Sequence, residues 1–265
     1  MDIKEVTCKT IISKSRLYDT DYSINPYRGC LHACVYCYAP LVLREKRKWG
    51  NFIDVKINAP EILEKQLKKI KSGNILISSV TDPYNPLERK YQITRKILEK
   101  LKDKDFFVSI LTKSNLVLRD VDLLKQMRCD VGITITTFNE EARKIFEPNT
   151  ISSEERLKVL DELKNQGIKT YIFFGPLLPY ISDMNLEKTI EKFASVKPSN
   201  IIIDRLNVKS SYQWKIIEKV LEKNYPQLLN QWKEVLFSKN DYYKKLKENI
   251  IENCKKFNLN YEFCY

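Results

Sequence analysis

Glycine is scarce, with six in 265 residues. No GxxxxGK[ST] and no GxGxxG occurs, which argues against a P-loop and a simple dinucleotide-binding turn. Only one histidine is present, His32, so a Ser-His-Asp triad would have to be built on it. No apolar run approaches the ~18 residues of a membrane span. The opening MDIKEVTCKT has no apolar signal core. A cytoplasmic chain with no membrane partner is therefore expected. Cysteine is limited to seven, an odd number. In a reducing compartment that disfavours a disulfide framework. No linker, low-complexity stretch or repeat beyond a βα unit divides the chain.

What is present is a globular composition, with 43% hydrophobic and 30% charged residues. Lys plus Arg is 46 against 34 for Asp plus Glu, a net charge of +12. That excess suits an anionic partner such as nucleic acid. Many of the lysines alternate with glutamate on helical stretches such as EKQLKKIK, where a solvated face explains them equally well.

Hydrophobic periodicity alternates between short apolar runs and helical segments. Strands are expected at 22–25, 74–79, 106–112, 131–137, 168–175 and 200–206, with helices at 60–70, 91–101, 119–127, 152–166 and 185–196. Ser152 and Glu155 form a capping-box pair, and Gly167 closes that helix. Alternation of this kind means a parallel sheet with right-handed crossovers. The expected fold is α/β, a partial (β/α)6 barrel over residues 1–210. Residues 211–265 read as a helical appendage packed on it, and the chain as a monomer. Ligands in such sheets sit at the carboxyl ends of strands. Chemistry is therefore expected in the segments 28–37, 81–87, 112–115, 136–139, 175–180 and 204–207.

One stretch, NPYRGCLHACVYCY at 25–38, holds three of the cysteines and the histidine. Its spacing is Cys30-x3-Cys34-x2-Cys37. Structural zinc wants four ligands, usually as two separated pairs, and no second CxxC exists. Cys8, Cys129, Cys254, Cys264 or His32 could each supply a fourth ligand. Isolated cysteines are more often small core residues, however. Three thiolates can instead hold three irons of a [4Fe–4S] cluster, whose full protein ligation takes four. The remaining iron then stays open to a bidentate ligand carrying amine and carboxylate.

C-x3-C-x2-C with an aromatic residue before the last cysteine, here Tyr36, resembles the radical S-adenosylmethionine superfamily. The blocks NPYRGCLHACVYCYAP, SSVTDPYNPLERKYQITRKILE, TKSNLVLRDVDLL and TTFNEEARKIFEPNT resemble the subgroup related to spore photoproduct lyase. Together they cover roughly residues 20–210. The resemblance implies a [4Fe–4S] cluster on Cys30, Cys34 and Cys37, with S-adenosyl-L-methionine chelated at the open iron. One electron from a donor such as flavodoxin or ferredoxin would then yield a 5′-deoxyadenosyl radical.

Many such enzymes carry Gly-Gly-Glu after the second strand. Here Ser78-Ser79-Val80-Thr81-Asp82 stands in that place, and Ser78, Ser79, Thr81 and Asp82 are expected to bind the ammonium of S-adenosylmethionine. The resemblance further implies Lys113 for its carboxylate, Thr134 or Thr136 for its ribose, and Tyr36 beside its adenine. His32 is expected to support the loop. Substrate candidates are Glu88, Arg119, Asp204, Arg205 and Asn207. The substrate is expected to be nucleic acid, with a peptide or small metabolite as the alternative. A non-enzymatic zinc-binding nucleic-acid protein is the third reading. Spore photoproduct lyase is thought to use a cysteine hydrogen donor, and no cysteine falls at an expected strand end outside the loop. Cys264 is expected to pack in the core, and efficient repair of spore photoproduct is not expected.

Overall fold

The computed structural model describes residues 1–17 and 19–265. Eleven strands lie among them: β1 (Asp2–Val6), β2 (Ile12–Lys14), β3 (Tyr22–Ile24), β4 (Tyr27–Arg28), β5 (Phe52–Lys56), β6 (Ser72–Ile77), β7 (Asp105–Thr112), β8 (Cys129–Thr134), β9 (Lys169–Leu177), β10 (Asn200–Arg205) and β11 (Tyr261–Phe263). Eight form one sheet in the order β11-β10-β9-β8-β7-β6-β3-β2. The six expected strands are β3, β6, β7, β8, β9 and β10, all paired in parallel. Helices such as Ile93–Leu101, Ser153–Asn165 and Leu186–Ser195 make the crossovers. This is a partial barrel, left open between β2 and β11, which are the two ends of the sheet.

Side chains alternate across each strand. Ile133, Ile172, Phe174, Ile201 and Ile203 are fully buried, and Phe174 meets Phe193 of the helix Leu186–Ser195, so this set faces the helices. The alternate set faces inward. There Tyr171 reaches Ser109, with their hydroxyls 3.3 Å apart. Gly132 must lack a side chain, because a Cβ would stand 2.2 Å from the Tyr171 ring. Tyr171 thus plugs the amino-terminal end of the interior and leaves the carboxyl end for ligands.

Three features differ from the sequence reading. A second sheet, in the order β1-β5-β4, carries the strand that leads into the Cys loop. Its strands are too short, or too near a terminus, to show periodicity. The helix expected at 119–127 is a 3-10 turn (Asn115–Asp120) followed by Val121–Leu124. The segment 211–265 is more than a helical appendage: β11 pairs in parallel with β10, Ile201 opposite Tyr261 and Ile203 opposite Phe263. It therefore adds a seventh parallel strand to the barrel.

The helices Ser211–Asn224 and Leu229–Phe237 belong to a separate apolar cluster with Tyr36, Phe146 and Leu178. Phe146 stacks on Trp232 at 5.7 Å. Ile217, Leu221 and Trp232 are fully buried there, and burial of such side chains contributes about 1.5–3 kcal/mol each. This second core covers the Cys loop.

Candidate active site

β4 delivers the chain into the Cys loop through Gly29, at φ +93°. A Cβ there would meet the Phe52 carbonyl at 2.5 Å, so β5 requires glycine. Ala33 is also left-handed, at φ 55°, and its methyl lies against Gly50. The loop is tied down from four sides. The Thr81 hydroxyl donates to the Gly29 carbonyl at 2.5 Å. Asn149 Nδ2 donates to the Leu31 carbonyl at 2.8 Å, and Val35 N to the Phe146 carbonyl at 2.9 Å. Gln213 Nε2 donates to the Tyr36 carbonyl at 2.8 Å.

All three loop cysteines are free thiols. Burial pushes the Cys34 thiol up to about 11 and the Cys37 thiol up to about 12, and each sulfur feels its neighbours. Cys34 adds to the rise at Cys37, which the Trp49 indole opposes by hydrogen-bonding its sulfur. Cys30 faces His32. Among the described residues no three Cys, His, Asp or Glu side chains converge on one mononuclear metal position. A cube takes one thiolate at each of separate irons, and one tight loop carrying Cys30, Cys34 and Cys37 supplies three. The donor set therefore fits an iron–sulfur cube. Loading must displace protons from these thiols.

Beneath the loop lies a buried network. The Tyr36 hydroxyl donates to Glu147. The Thr136 hydroxyl stands 2.9 Å from the same oxygen and 3.1 Å from the Gly175 carbonyl. Arg156 Nη2 pairs with the other Glu147 oxygen at 2.6 Å, and Arg156 Nη1 donates to the Thr134 carbonyl at 3.0 Å. Burial opposes charge on Glu147, but Arg156 and Lys113 outweigh it and hold the carboxyl at about 2. Lys113 sits 5.9 Å above the Tyr36 ring. Burial opposes its charge as well, and Cys34 and Glu147 overcome it, so its pKa is raised. Among the described residues Lys113 has no direct carboxylate partner, so a half-buried cation faces the thiols unpaired.

Asp82 has its capacity spent. Its oxygens accept from Thr112 Oγ1 (2.7 Å), Tyr84 N (2.9 Å) and Lys113 N (2.9 Å), and His32 Nδ1 lies 3.3 Å away. Two carboxylate oxygens offer about four acceptor positions, so an ammonium finds none open. Burial opposes the imidazolium of His32, while Asp82 and Cys30 raise it to about 10. Asp82 thus orients His32 and the backbone of Lys113. Ser78 stands in the left-handed region at φ 73°, and among the described residues its buried hydroxyl has no partner. Buried polar groups are rarely left so. Asn25 braces this turn, accepting from Ser79 N and Val80 N at 3.0 Å each and donating to Ser79 Oγ at 3.2 Å.

The substrate candidates separate. Glu88 and Arg119 pair at 2.7 Å. Glu88 is fully buried and also receives Tyr27, Thr94 N and Arg95 N. Both are tied into one ion-pair network, with Glu88 buried and the Arg119 side chain 22% exposed. Asp204, Arg205 and Asn207 lie at the exit of β10, with Arg205 and Asn207 exposed. Arg205 lies 5.3 Å over Tyr265 and 5.9 Å over Tyr243. Tyr180, at the exit of β9, is 37% exposed against Tyr242.

Cys264 does not pack in the core. Its amide donates to the Ile203 carbonyl at 2.9 Å, and the residue is exposed at the end of β11. This puts a thiol at a strand end, which removes the ground for excluding spore photoproduct repair. Cys254 does pack in the core, and Cys129 opens β8 at the end away from the loop.

Glu147, Arg156, Asn25, Trp49 and Gln213 were not among the expected site residues. Glu147 and Asn149 lie within the FEPNT block, so the signal was present. Arg156 sits in EERLK, where its neighbours read as a solvated helix face.

The radical SAM superfamily profile matches residues 24–193. The chain belongs to the radical SAM superfamily. An uncharacterized protein of Methanocaldococcus jannaschii is 35% identical over 261 residues, 97% of this chain and 94% of that protein. A Pseudomonas phage M6 protein named radical SAM Nalpha-GlyT isomerase is 27% identical over 193 residues, 71% of this chain and 40% of its own. Among solved structures, spore photoproduct lyase with bound AdoMet and dinucleoside spore photoproduct superposes with TM-score 0.79 at 16% identity. That match covers 99% of this chain and 82% of the other. SuiB of Streptococcus suis bound to S-adenosylmethionine gives TM-score 0.62 at 15% identity, over 91% and 49%. The chain is thus a radical enzyme using S-adenosylmethionine and a [4Fe–4S] cluster, and such enzymes require a reductant. The non-enzymatic zinc reading is set aside. Among the described residues no helix is long and apolar enough to cross a membrane.

Proposed function

We propose that this enzyme abstracts hydrogen from a nucleic-acid substrate presented at the carboxyl rim of the barrel, acting as a monomer. When bound, the cluster and S-adenosylmethionine supply a 5′-deoxyadenosyl radical once one electron is delivered. Cys30, Cys34 and Cys37 hold the cluster. The observation that carries this assignment of the site is the half-buried Lys113 ammonium, which stands 5.9 Å over the Tyr36 ring beside the thiols with no carboxylate paired to it among the described residues, and which suits the carboxylate of S-adenosylmethionine. Ser78 offers its unpartnered hydroxyl, with Ser79 beside it, to the ammonium. Thr81 and Asp82 hold the loop, His32 and Lys113 in place. Thr134 is assigned to the ribose and the Tyr36 ring to the adenine, while Thr136 and Glu147 fix Tyr36.

Three observations support nucleic acid. The net charge is +12. The rim offers an exposed Arg205 lying over tyrosines and a partly exposed Tyr180, planar groups on which bases can stack. Spore photoproduct lyase, of the same fold over the whole chain, binds a dinucleoside.

The test is anaerobic reconstitution followed by iron and sulfide analysis and assay of 5′-deoxyadenosine with dithionite. Oligonucleotides deuterated in the sugar or base are then offered. Deuterium in the 5′-deoxyadenosine supports the reading. Robust cleavage with no transfer from, and no binding of, any nucleic acid would move the substrate to a peptide or small metabolite.

A further inference from the structure

The segment directly after Cys37 exposes three apolar side chains in five residues. Tyr38 is 43% exposed, Leu41 43% and Val42 57%. The next residues alternate in direction. Glu45 turns inward, its side chain 7% exposed between Arg28 and Arg47, each at 3.0 Å. Arg44, Lys46 and Lys48 turn outward and are exposed. Among the described residues none of these three side chains forms an ion pair. The acidic residue of this loop is thus hidden and the basic ones are displayed. An apolar centre with a positive rim results. Beside it, Trp49 packs edge-on against Phe52 at 5.9 Å, with its indole near the Cys37 sulfur.

We infer that this patch is the docking surface for a small acidic electron-carrier protein. The inference rests on the radical reading above, which requires one electron at the cluster. The carrier is oxidised by one electron and the cluster is reduced by one, with no bond made or broken. Docking at residues 38–48 brings the carrier to the chain segment and the indole that adjoin Cys37. An apolar centre with a charged rim is the anatomy of a protein interface, and its small extent suits a transient redox encounter. Basic residues at the rim attract an acidic partner and speed its approach. Nucleic acid fits less well, because bases stack on aromatic faces while two of the three exposed side chains, Leu41 and Val42, are aliphatic.

The test compares two reductants on the reconstituted enzyme, reduced flavodoxin and dithionite. The variants are Lys46→Glu with Lys48→Glu, and separately Leu41→Ser with Val42→Ser. The expected result is a loss of about tenfold or more in flavodoxin-supported 5′-deoxyadenosine formation at low salt for the charge-reversed enzyme. Flavodoxin binding, read from flavin fluorescence, weakens in parallel. The dithionite-supported rate and the cluster's EPR spectrum stay as in wild type. Equal flavodoxin-supported rates in variants and wild type would overturn the proposal. So would equal losses with both reductants, or loss of oligonucleotide binding with flavodoxin dependence intact. If wild type fails to cleave S-adenosylmethionine even with dithionite, the radical reading itself falls and this proposal with it.

Discussion

The network around Glu88 and the network around Glu147 both hold a buried glutamate against an arginine past the strand ends. In the first, the carboxylate receives Tyr27, Arg119 and two backbone amides, and Arg119 also grips Asp120 at 2.7 Å. Arg95 extends the chain to Asp120 at 2.9 Å and Asp122 at 2.7 Å. Every charge has a direct partner of opposite sign. In the second, Glu147 is equally well paired, but the adjacent Lys113 ammonium is not, and nearby Ser78 has an idle hydroxyl. Charge alone does not separate a structural cluster from a site. An unpaired charge does, because holding a desolvated charge without a direct partner costs stability unless a ligand completes it.

The largest effect is expected where the closed network is cut. Glu88→Ala leaves Arg119 with Asp120 alone and leaves the Tyr27 hydroxyl and two amides without their acceptor, which should cost about 3–5 kcal/mol. Thermal or urea unfolding of the purified protein measures it. Any variant that still folds should bind S-adenosylmethionine with wild-type affinity. A large binding defect in folded protein would put Glu88 back among the site residues.

Lys113→Met makes the opposite prediction. Replacing this half-buried cation with an apolar chain of similar length relieves its desolvation but removes its attraction to Glu147, so the melting temperature should change little. Affinity of the reconstituted enzyme for S-adenosylmethionine should fall about 10- to 100-fold, as for a lost bond between charged groups. A fall in stability with unchanged affinity would show that the two networks are of one kind.

Acid stability distinguishes them more finely. Against burial, His32 holds Asp82 at about 2, below its ordinary 3.8. Arg156 and Lys113 likewise hold Glu147 at about 2, below 4.5. As pH falls through about 4, the unfolded chain takes up protons before the folded one. Stability supplied by these carboxylates is complete above pH 4.5 and is lost toward pH 2. Asp82→Asn should lower stability at pH 7 and flatten the acid limb of the denaturation curve. An acid limb as steep as that of wild type would show that Asp82 is not one of the groups that set it.

The contrast also explains what the sequence disclosed. The six central strands were legible because each is a continuous apolar run facing core on one side and plugged interior on the other. Strand β11 was hidden: three residues, YEF, carry no period, and only the packing of the helix Tyr242–Lys256 brings them beside β10. The Cys loop was legible through its spacing. Its braces were not, because Gln213 and Asn149 reach it from residues 177 and 118 positions apart from their partners. Glu88 and Arg119 looked like site residues because both follow strand ends. A one-dimensional reading cannot show that each had already taken the other.

Cys264 is a polar group of a third kind, open to solvent yet electrostatically restrained. Partial burial raises its thiol, and Asp204 and Glu262 add to the effect, reaching about 11. Only the thiolate reacts with an alkylating agent, so exposure and reactivity part company here. At pH 8 iodoacetamide should modify Cys264 more slowly than a free thiol of ordinary pKa near 8.5. Asp204→Asn should speed that reaction roughly severalfold by removing one negative neighbour. Peptide mass analysis after timed quenching reads the rate at this position alone. If alkylation at Cys264 is fast in wild type and unmoved by Asp204→Asn, the two side chains do not share the inward face at the β10–β11 exit. The parallel register of the seventh strand would then be wrong by one residue, since a one-residue slip turns every side chain to the other face.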